Sequence, residues 1–213
     1  PGLHRSLFHI GGGMKSRLRH RPFRLGTTSF IIPDHIIPNV RKLGPVFDEI
    51  ELLVFESRPE SVIPSHEDVL ELLALSKKHA VTYNIHLPVD VSISRGKSDN
   101  REQAKEVLCQ VVQRFKPLCP TTCTLHLECP DTLRGESLQS RRVRQWQDLL
   151  KRDLADFLSR LDDPSAISIE TLDYPFSLIR PVLENLPCGI CIDIGHGIKY
   201  GYDWMGIFQT EKN

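Results

Sequence analysis
The sequence predicts an α/β chain folded as a TIM-type (β/α) barrel, with about six of the eight strand–helix units such a barrel contains. Three observations carry this prediction. Short runs of strand formers alternate with longer stretches of helical periodicity. The strands read as near-continuous apolar segments, the pattern of a parallel sheet covered by helices. Four strand-like segments end on residues of metal-ligand type: Thr82–Pro88 on His86, Thr122–Glu128 on His126, Ala166–Glu170 on Glu170, and Ile190–His196 on Asp193 and His196. Chemistry gathered at the C-terminal ends of successive strands is how a barrel mouth is built.

Residues 1–23 are basic, contain Gly11-Gly12-Gly13 and have no period. They are expected to be a disordered extension with Met14 as a candidate start, and Arg17, Arg19, Arg21 and Arg24 are expected to be solvated. Residues 24–213 are expected to form the barrel domain. The first strand is expected at Leu25–Phe30, and Pro33 and Pro38 bracket a loop before a helical turn at Val40–Leu43. Glu49–Phe55 is the second strand and ends at Glu56. Ser65-His66-Glu67-Asp68 has the spacing of a capping box and opens a helix running to about His79. Val81–His86 is the third strand, stopped by Leu87-Pro88. A polar loop, Asp90–Asn100, leads to a helix over Arg101–Phe115 with Ala104, Leu108 and Val111 on one face, ended by Pro117. Thr122–Leu127 is the fourth strand, and Ser140–Leu161 a long helix with Trp146, Leu150, Leu154 and Phe157 inward. Ile167–Glu170, Phe176–Asn185 and Ile190–Asp193 read as strand, helix and strand. A full barrel takes about 250 residues, so two further units are expected to be missing. The unpaired edge of the sixth strand is then expected to make the 213-residue chain poorly soluble or self-associating, with little activity.

Lys+Arg and Asp+Glu both number 27, so bulk charge gives no attraction to nucleic acid or to an anionic membrane. No apolar run approaches the roughly 20 residues of a membrane span. The expected location is the cytoplasm, where the six cysteines stay free thiols. Cys188-Gly-Ile-Cys191 lies in a strand, where residues three apart face opposite ways, so it is read as buried thiols and not as a redox or metal motif. No Walker loop, dinucleotide fingerprint or serine nucleophile elbow is present.

Imidazole and carboxylate together suit Zn²⁺, Mn²⁺ or Fe²⁺, so a divalent metal of open identity is the expected cofactor, held by His86, His126, Glu170, Asp193 and His196. Any one of these alone reads as an ordinary hydrogen-bonded strand-end residue. Their equivalent places on successive strands make them a set. Glu170, His126 and His86 are the candidate catalytic groups. Glu56, Asp90 and Lys199 are candidates for substrate binding, and Arg101 and Tyr200 are expected in loops on the same side. Arg141, Arg142 and Arg144 read as a solvated helix face.

His86, His126, Glu170 and Asp193-x-x-His196, in this order on strands three to six, are similar to the xylose isomerase-like barrel superfamily, which holds sugar-phosphate isomerases and epimerases and endonuclease IV-type phosphodiesterases. The segments TTSFIIPDHIIPNV, VTYNIHLPVDV, SIETLDYP and CIDIGHGIKYG resemble the cobamide-remodelling phosphodiesterase family (CbiR) from about Phe23 to Asp203. The resemblance implies a metal-dependent hydrolase that cleaves the phosphodiester in the nucleotide loop of cobamides, a small-molecule substrate with no nucleic-acid or membrane partner. The family often reads Glu-Asn-Leu where this chain has Glu170-Thr171-Leu172, and it carries further His and acidic ligands on strands seven and eight. The alternatives are a sugar-phosphate isomerase or epimerase of the same superfamily, with Glu170 moving a proton beside a carbonyl, and a non-catalytic corrinoid- or sugar-binding module. DNA repair at abasic sites would need basic loops that the neutral balance does not supply. Lower-ligand preference and oligomeric state stay open.

Overall fold
The computed structural model describes residues 21–58 and 63–211. Six strands form one parallel sheet in chain order: β1 (Gly26–Thr28), β2 (Glu49–Leu53), β3 (Thr82–His86), β4 (Cys123–Leu125), β5 (Ile167–Glu170) and β6 (Gly189–Cys191). Each strand pairs with the next, with no reversal of order. That is the connectivity of a (β/α) barrel rather than of a doubly wound sheet. Among the described residues β1 and β6 each have one partner, so the six units form an open barrel.

Among the described residues seven α-helices accompany the strands: α1 (Ile36–Leu43), α2 (His66–His79), α3 (Ser98–Phe115), α4 (Arg141–Ser159), α5 (Arg180–Leu183), α6 (Ile194–Tyr200) and α7 (Trp204–Glu211). The capping box at Ser65 forms as the sequence predicts: its hydroxyl accepts from the Asp68 N–H, and the Asp68 carboxylate accepts from the Ser65 N–H at 2.8 Å. Two helices differ from expectation. α1 starts four residues earlier than the turn expected at Val40, with Pro38 inside its first turn. A missing N–H is harmless there, because first-turn N–H groups have no helical partner. The single helix expected over Phe176–Asn185 is a 3₁₀ turn, Phe176–Leu178, followed by the short α5. Pro181 explains the break, since in one continuous helix its ring would strike the carbonyl four residues back, that of Ser177.

The strands alternate, where the sequence suggested near-continuous apolar runs. Ile50, Leu52, Tyr83, Ile85, Cys123, Leu125, Ile167 and Ile169 are buried in the layer between sheet and helices. Tyr83 shows which way that face points: its hydroxyl donates to the Leu72 carbonyl of α2 at 2.9 Å. By the two-residue period of a strand, Glu49, Glu51, Thr82, Asn84, His86, Thr124, Ser168 and Glu170 line the concave face. The lower part of that face is a hydrogen-bond network. Glu49 accepts from Thr82 Oγ1 at 2.7 Å, Thr121 Oγ1 at 3.0 Å and Asn84 Nδ2 at 3.4 Å. Thr122 and Ser168 hydroxyls meet at 2.7 Å. The apolar core therefore lies outside the barrel wall, and the inside is polar from floor to mouth.

Residues 1–20 of the expected N-terminal extension, including Gly11–Gly13, Met14, Arg17 and Arg19, lie outside the described residues. Arg21 is not a solvated arm, since it is partly buried and pairs with Asp48 at 3.2 Å at the floor of the barrel, whereas Arg24 is exposed as expected and reaches Glu49 at 3.4 Å. No helix among the described residues is long and apolar enough to cross a membrane. All six cysteines are free, and burial pushes the thiols of Cys188 and Cys191 up to about 11, which keeps them protonated and unreactive near neutral pH.

Candidate metal centre
The five residues expected as ligands come together at the C-terminal ends of the strands. They form two triads that share one carboxylate: His86, His126 and Glu170, and Glu170, Asp193 and His196. Within each triad the ligand atoms lie within 4.8 Å of one another. Atoms bound to one ion at about 2.1 Å lie up to about 4.2 Å apart, so a small contraction would close either triad on a metal.

Glu170 is the centre of the arrangement. It ends β5 and is buried. Its Oε2 lies 2.9 Å from His126 Nε2 and 3.5 Å from His86 Nε2, while its Oε1 lies 3.7 Å from His196 Nδ1. Each carboxylate oxygen thus faces a different triad. Burial works to raise the Glu170 pKa, but the hydrogen bonds to His126 and His86 outweigh it and hold the carboxyl down at about 2. His86 shows the other side of the same pair: burial lowers its pKa, and the Glu170 carboxylate raises it by more.

Backbone contacts orient the histidines. His86 Nδ1 lies 3.0 Å from the Leu87 carbonyl, which only accepts, so Nδ1 donates to it, and Nε2 faces Glu170 Oε2 at 3.5 Å, where a proton pairs it with the carboxylate and a cation would replace that proton. His196 Nδ1 lies 2.9 Å from the Thr171 carbonyl, and the same nitrogen lies 3.5 Å from Asp193 Oδ2 and 3.7 Å from Glu170 Oε1, so on this side a cation would take the place of the Nδ1 proton. His86, which donates one N–H to a backbone carbonyl and points its other nitrogen at the carboxylate cluster, is oriented as metal-binding histidines are. The residues present therefore fit a divalent ion. His86 and His126 also pack edge to face, with ring centroids 4.8 Å apart.

The Asp193-x-x-His196 spacing has a local cause. Asp193 is the N-cap of α6, and its Oδ1 accepts from the His196 N–H at 2.8 Å. One oxygen caps the helix while Oδ2 stays 3.5 Å from the His196 ring. Thr171 steadies both residues, since its hydroxyl accepts from the Asp193 N–H at 2.9 Å while its carbonyl takes the His196 proton. Gly197 lets the helix sit close to the chain that follows, because a Cβ there would lie 2.8 Å from the Trp204 ring.

The three expected substrate-binding residues have different surroundings. Glu56 lines a cavity beside the mouth with Phe30 and Phe55. Both Asp90 oxygens accept from the Ser57 N–H at 2.9 Å, and Ser57 Oγ adds a third bond, so Asp90 braces the loop after β2. Lys199 is exposed on α6, 4.9 Å from the Tyr200 ring centroid. Arg101 lies in α3, not in a loop, and bonds Asp153 of α4 at 2.7 Å.

Two residues of the centre escape a reading of motifs. Thr171 is one. The other is Glu51, in the middle of β2 on the concave face, where it is the register partner of Asn84. Burial raises the Glu51 pKa; His86 pulls it down, and Glu170, Asp193 and Glu49 push it up. The Glu49-x-Glu51 alternation was a signal for it, since a period of two puts both carboxylates on one face. A carboxyl whose folded pKa lies above its unfolded one costs stability once it ionises. Glu51→Gln should accordingly raise the melting temperature of the metal-free protein at pH 8 and leave it unchanged at pH 4, as read by thermal scans at both pH values.

No protein-family model and no curated protein matches the sequence. Solved structures do match. A D-tagatose 3-epimerase-like protein superposes with a TM-score of 0.72 at 16% identity, over 90% of this chain and 72% of that one. The 3-keto-D-glucoside 4-epimerase YcjR from E. coli does so with a TM-score of 0.66 at 12% identity, over 88% and 74%. The TTHB071 protein from Thermus thermophilus, in a crystal soaked with ZnCl2, gives 0.59 at 18% identity, over 81% and 66%. At these identities the likeness establishes the fold alone: this chain shares the barrel architecture of these structures. None of these three ties it to the cobamide-remodelling family.

Proposed function
We propose that the barrel mouth is the site of a divalent-metal-dependent enzyme acting on a sugar-bearing small molecule, and that its reaction is phosphodiester hydrolysis in the nucleotide loop of a cobamide. The observation that carries this reading is the Glu170 carboxylate shared by two triads. One carboxylate facing two ligand sets supports a pair of cations, the arrangement that clamps a phosphodiester between attacking and leaving oxygens. Bound there by His86, His126, Glu170, Asp193 and His196, divalent ions would supply Lewis-acid polarisation of a phosphoryl oxygen. The sequence resemblance supplies the substrate. Water adds across a P–O bond, the riboside leaves with the proton, and the phosphate stays on the cobinamide.

Each side chain has a part in this reading. Glu170, held near a pKa of about 2, stays an anion at any working pH. That suits it to holding cations and not to carrying a proton. Asp193, with one oxygen engaged as the α6 cap, offers the other to the site. His86 is fixed by the Leu87 carbonyl, so its Nε2 needs no reorientation when substrate arrives.

A second reading, sugar isomerisation or epimerisation, is favoured by the names of the structures that share the fold. It needs a group that moves a proton beside a carbonyl. Glu51, with its raised pKa, suits that role better than Glu170.

One experiment separates the readings. The protein, loaded in turn with Zn²⁺, Mn²⁺ and Fe²⁺, is incubated with a cobamide and, separately, with ketohexoses and their phosphates in D₂O. Release of an α-riboside and a phosphorylated cobinamide, without deuterium uptake by the sugars, is the expected result. Deuterium at the carbon beside the ketose carbonyl, with the cobamide intact, selects the second reading. Tight cobamide binding with neither reaction selects a binding module.

A further inference from the structure
We propose a second subsite beside the metal centre: a wall that takes a flat aromatic ring, on the β1–β2 side of the mouth. It rests on the mouth being the substrate site but not on which reaction takes place there. The wall is made by Phe30 and Phe55, whose rings meet edge to face with centroids 5.8 Å apart. Phe55 also lies against His86 of the first triad, centroid to centroid 5.9 Å. A ring bound on this wall therefore sits one side chain away from the metal ligands.

The apolar core does not account for these phenyl groups. Phe30 is 64% exposed and Phe55 43% exposed, and neither packs against the core. They border a cavity of about 280 Å³ lined also by Asp34, His35, Leu53 and Glu56. That is the volume of a pocket for one moiety of a ligand and not for a whole one.

The loop that carries this wall is built, not loose. Asn39 of α1 is fully buried, and its side chain bonds only to the loop backbone. Its Oδ1 accepts from the Ile32 N–H at 2.9 Å. Its amide protons are shared among the carbonyls of Ile32, Asp34 and His35 at 3.0–3.1 Å. This gives the IIPDHIIPN segment a physical role: Asn39 sets the path of the chain from Phe30 to His35, and with it the cavity wall.

The lining selects the occupant. Two phenyl faces favour a planar π system, which stacks with little loss of conformational freedom. Glu56 makes no hydrogen bond or ion pair among the described residues, so its carboxylate is open to a ligand, and Asp34 lines the same cavity. Two acidic acceptors favour a ring that carries N–H donors. The geometry points to a planar nitrogen heterocycle as the substrate moiety held here.

The test uses adenosine and benzimidazole as ring probes and D-fructose as a ring-free sugar, titrated into the whole protein with and without zinc. Binding is followed by saturation-transfer difference NMR. The ring probes should bind with or without zinc, and D-fructose should bind at least tenfold more weakly. Phe55→Ala should weaken the ring probes roughly tenfold, within the range that loss of one stacked ring costs. Phe55→Tyr should bind them as the wild type does, which excludes misfolding as the cause. The proposal is overturned if the wild type binds neither ring probe. It is equally overturned if Phe30→Ala and Phe55→Ala both bind them unchanged, or if D-fructose binds as tightly in the absence of zinc. Ring binding in a protein that takes up no zinc would sink the metal reading and leave this subsite standing.

Discussion

Glu170→Gln should abolish metal uptake at both triads together, whereas His126→Ala or His196→Ala should weaken one triad and spare the other. The asymmetry follows from the shared carboxylate. Oε2 serves the histidines of β3 and of the segment after β4, and Oε1 serves the α6 side. Gln keeps the shape but removes the charge, and replaces one acceptor oxygen with an N–H donor that no cation will approach. Loss of an outer partner of a metal ligand costs about 10–100-fold in affinity. Loss of the common ligand should therefore lower zinc affinity by more than about 100-fold at both places. Equilibrium dialysis followed by elemental analysis reads the stoichiometry directly. Wild-type zinc content in Glu170→Gln would remove the central role given to this residue.

The second large effect is on the pH dependence of the metal-free protein. The Glu170 pKa falls from 4.5 to about 2, because the hydrogen bonds to His126 and His86 overcome the cost of burial. A carboxyl depressed on folding contributes stability above its unfolded pKa and loses it as pH falls through the folded value. The contribution is thus complete above about pH 4.5 and gone near about pH 2. Its size is on the order of 3 kcal/mol, or roughly 6–12 °C in melting temperature for a chain of this length. His86 runs the other way: its pKa is raised from 6.5, so its share is complete below 6.5 and is lost as pH rises through the raised value. These are two views of one ion pair and count once. The difference in melting temperature between wild type and Glu170→Gln should be largest between about pH 4.5 and 6.5 and should shrink on either side. Zinc competes with the His86 proton, so saturating zinc should stabilise the protein more at pH 8 than at pH 5. A constant difference across pH 2–9 would contradict the pairing of Glu170 with the two histidines.

Much of this centre is legible in the sequence because strand ends are. His86, His126, Glu170 and Asp193 each follow a short apolar run, and a parallel sheet aligns such ends at one rim. The sixfold alternation and the Ser65 capping box are equally local signals. What stayed hidden depends on contacts distant in sequence. Nothing near Asp90 says that its carboxylate will bond Ser57, 33 residues earlier. Nothing near Arg101 points to Asp153. Glu51 looked like one more strand residue because its significance comes from His86, Glu170 and Asp193 across the barrel. Reading the strands as uniformly apolar hid the concave polar face. A stricter count of the Glu49–Leu53 alternation would have exposed it. Thr171 looked like a departure from a family pattern; folded, it holds Asp193 and His196 in place with its hydroxyl and its carbonyl.

The most direct measurement is the anomalous scattering of a crystal of this protein soaked in zinc, with data collected on both sides of the zinc absorption edge. Two peaks are expected to flank the Glu170 carboxylate, one beside His86 and His126 and the other beside Asp193 and His196, each about 2.0–2.2 Å from its ligand atoms. A mouth without zinc, or zinc held only at residues outside the two triads, would contradict that expectation.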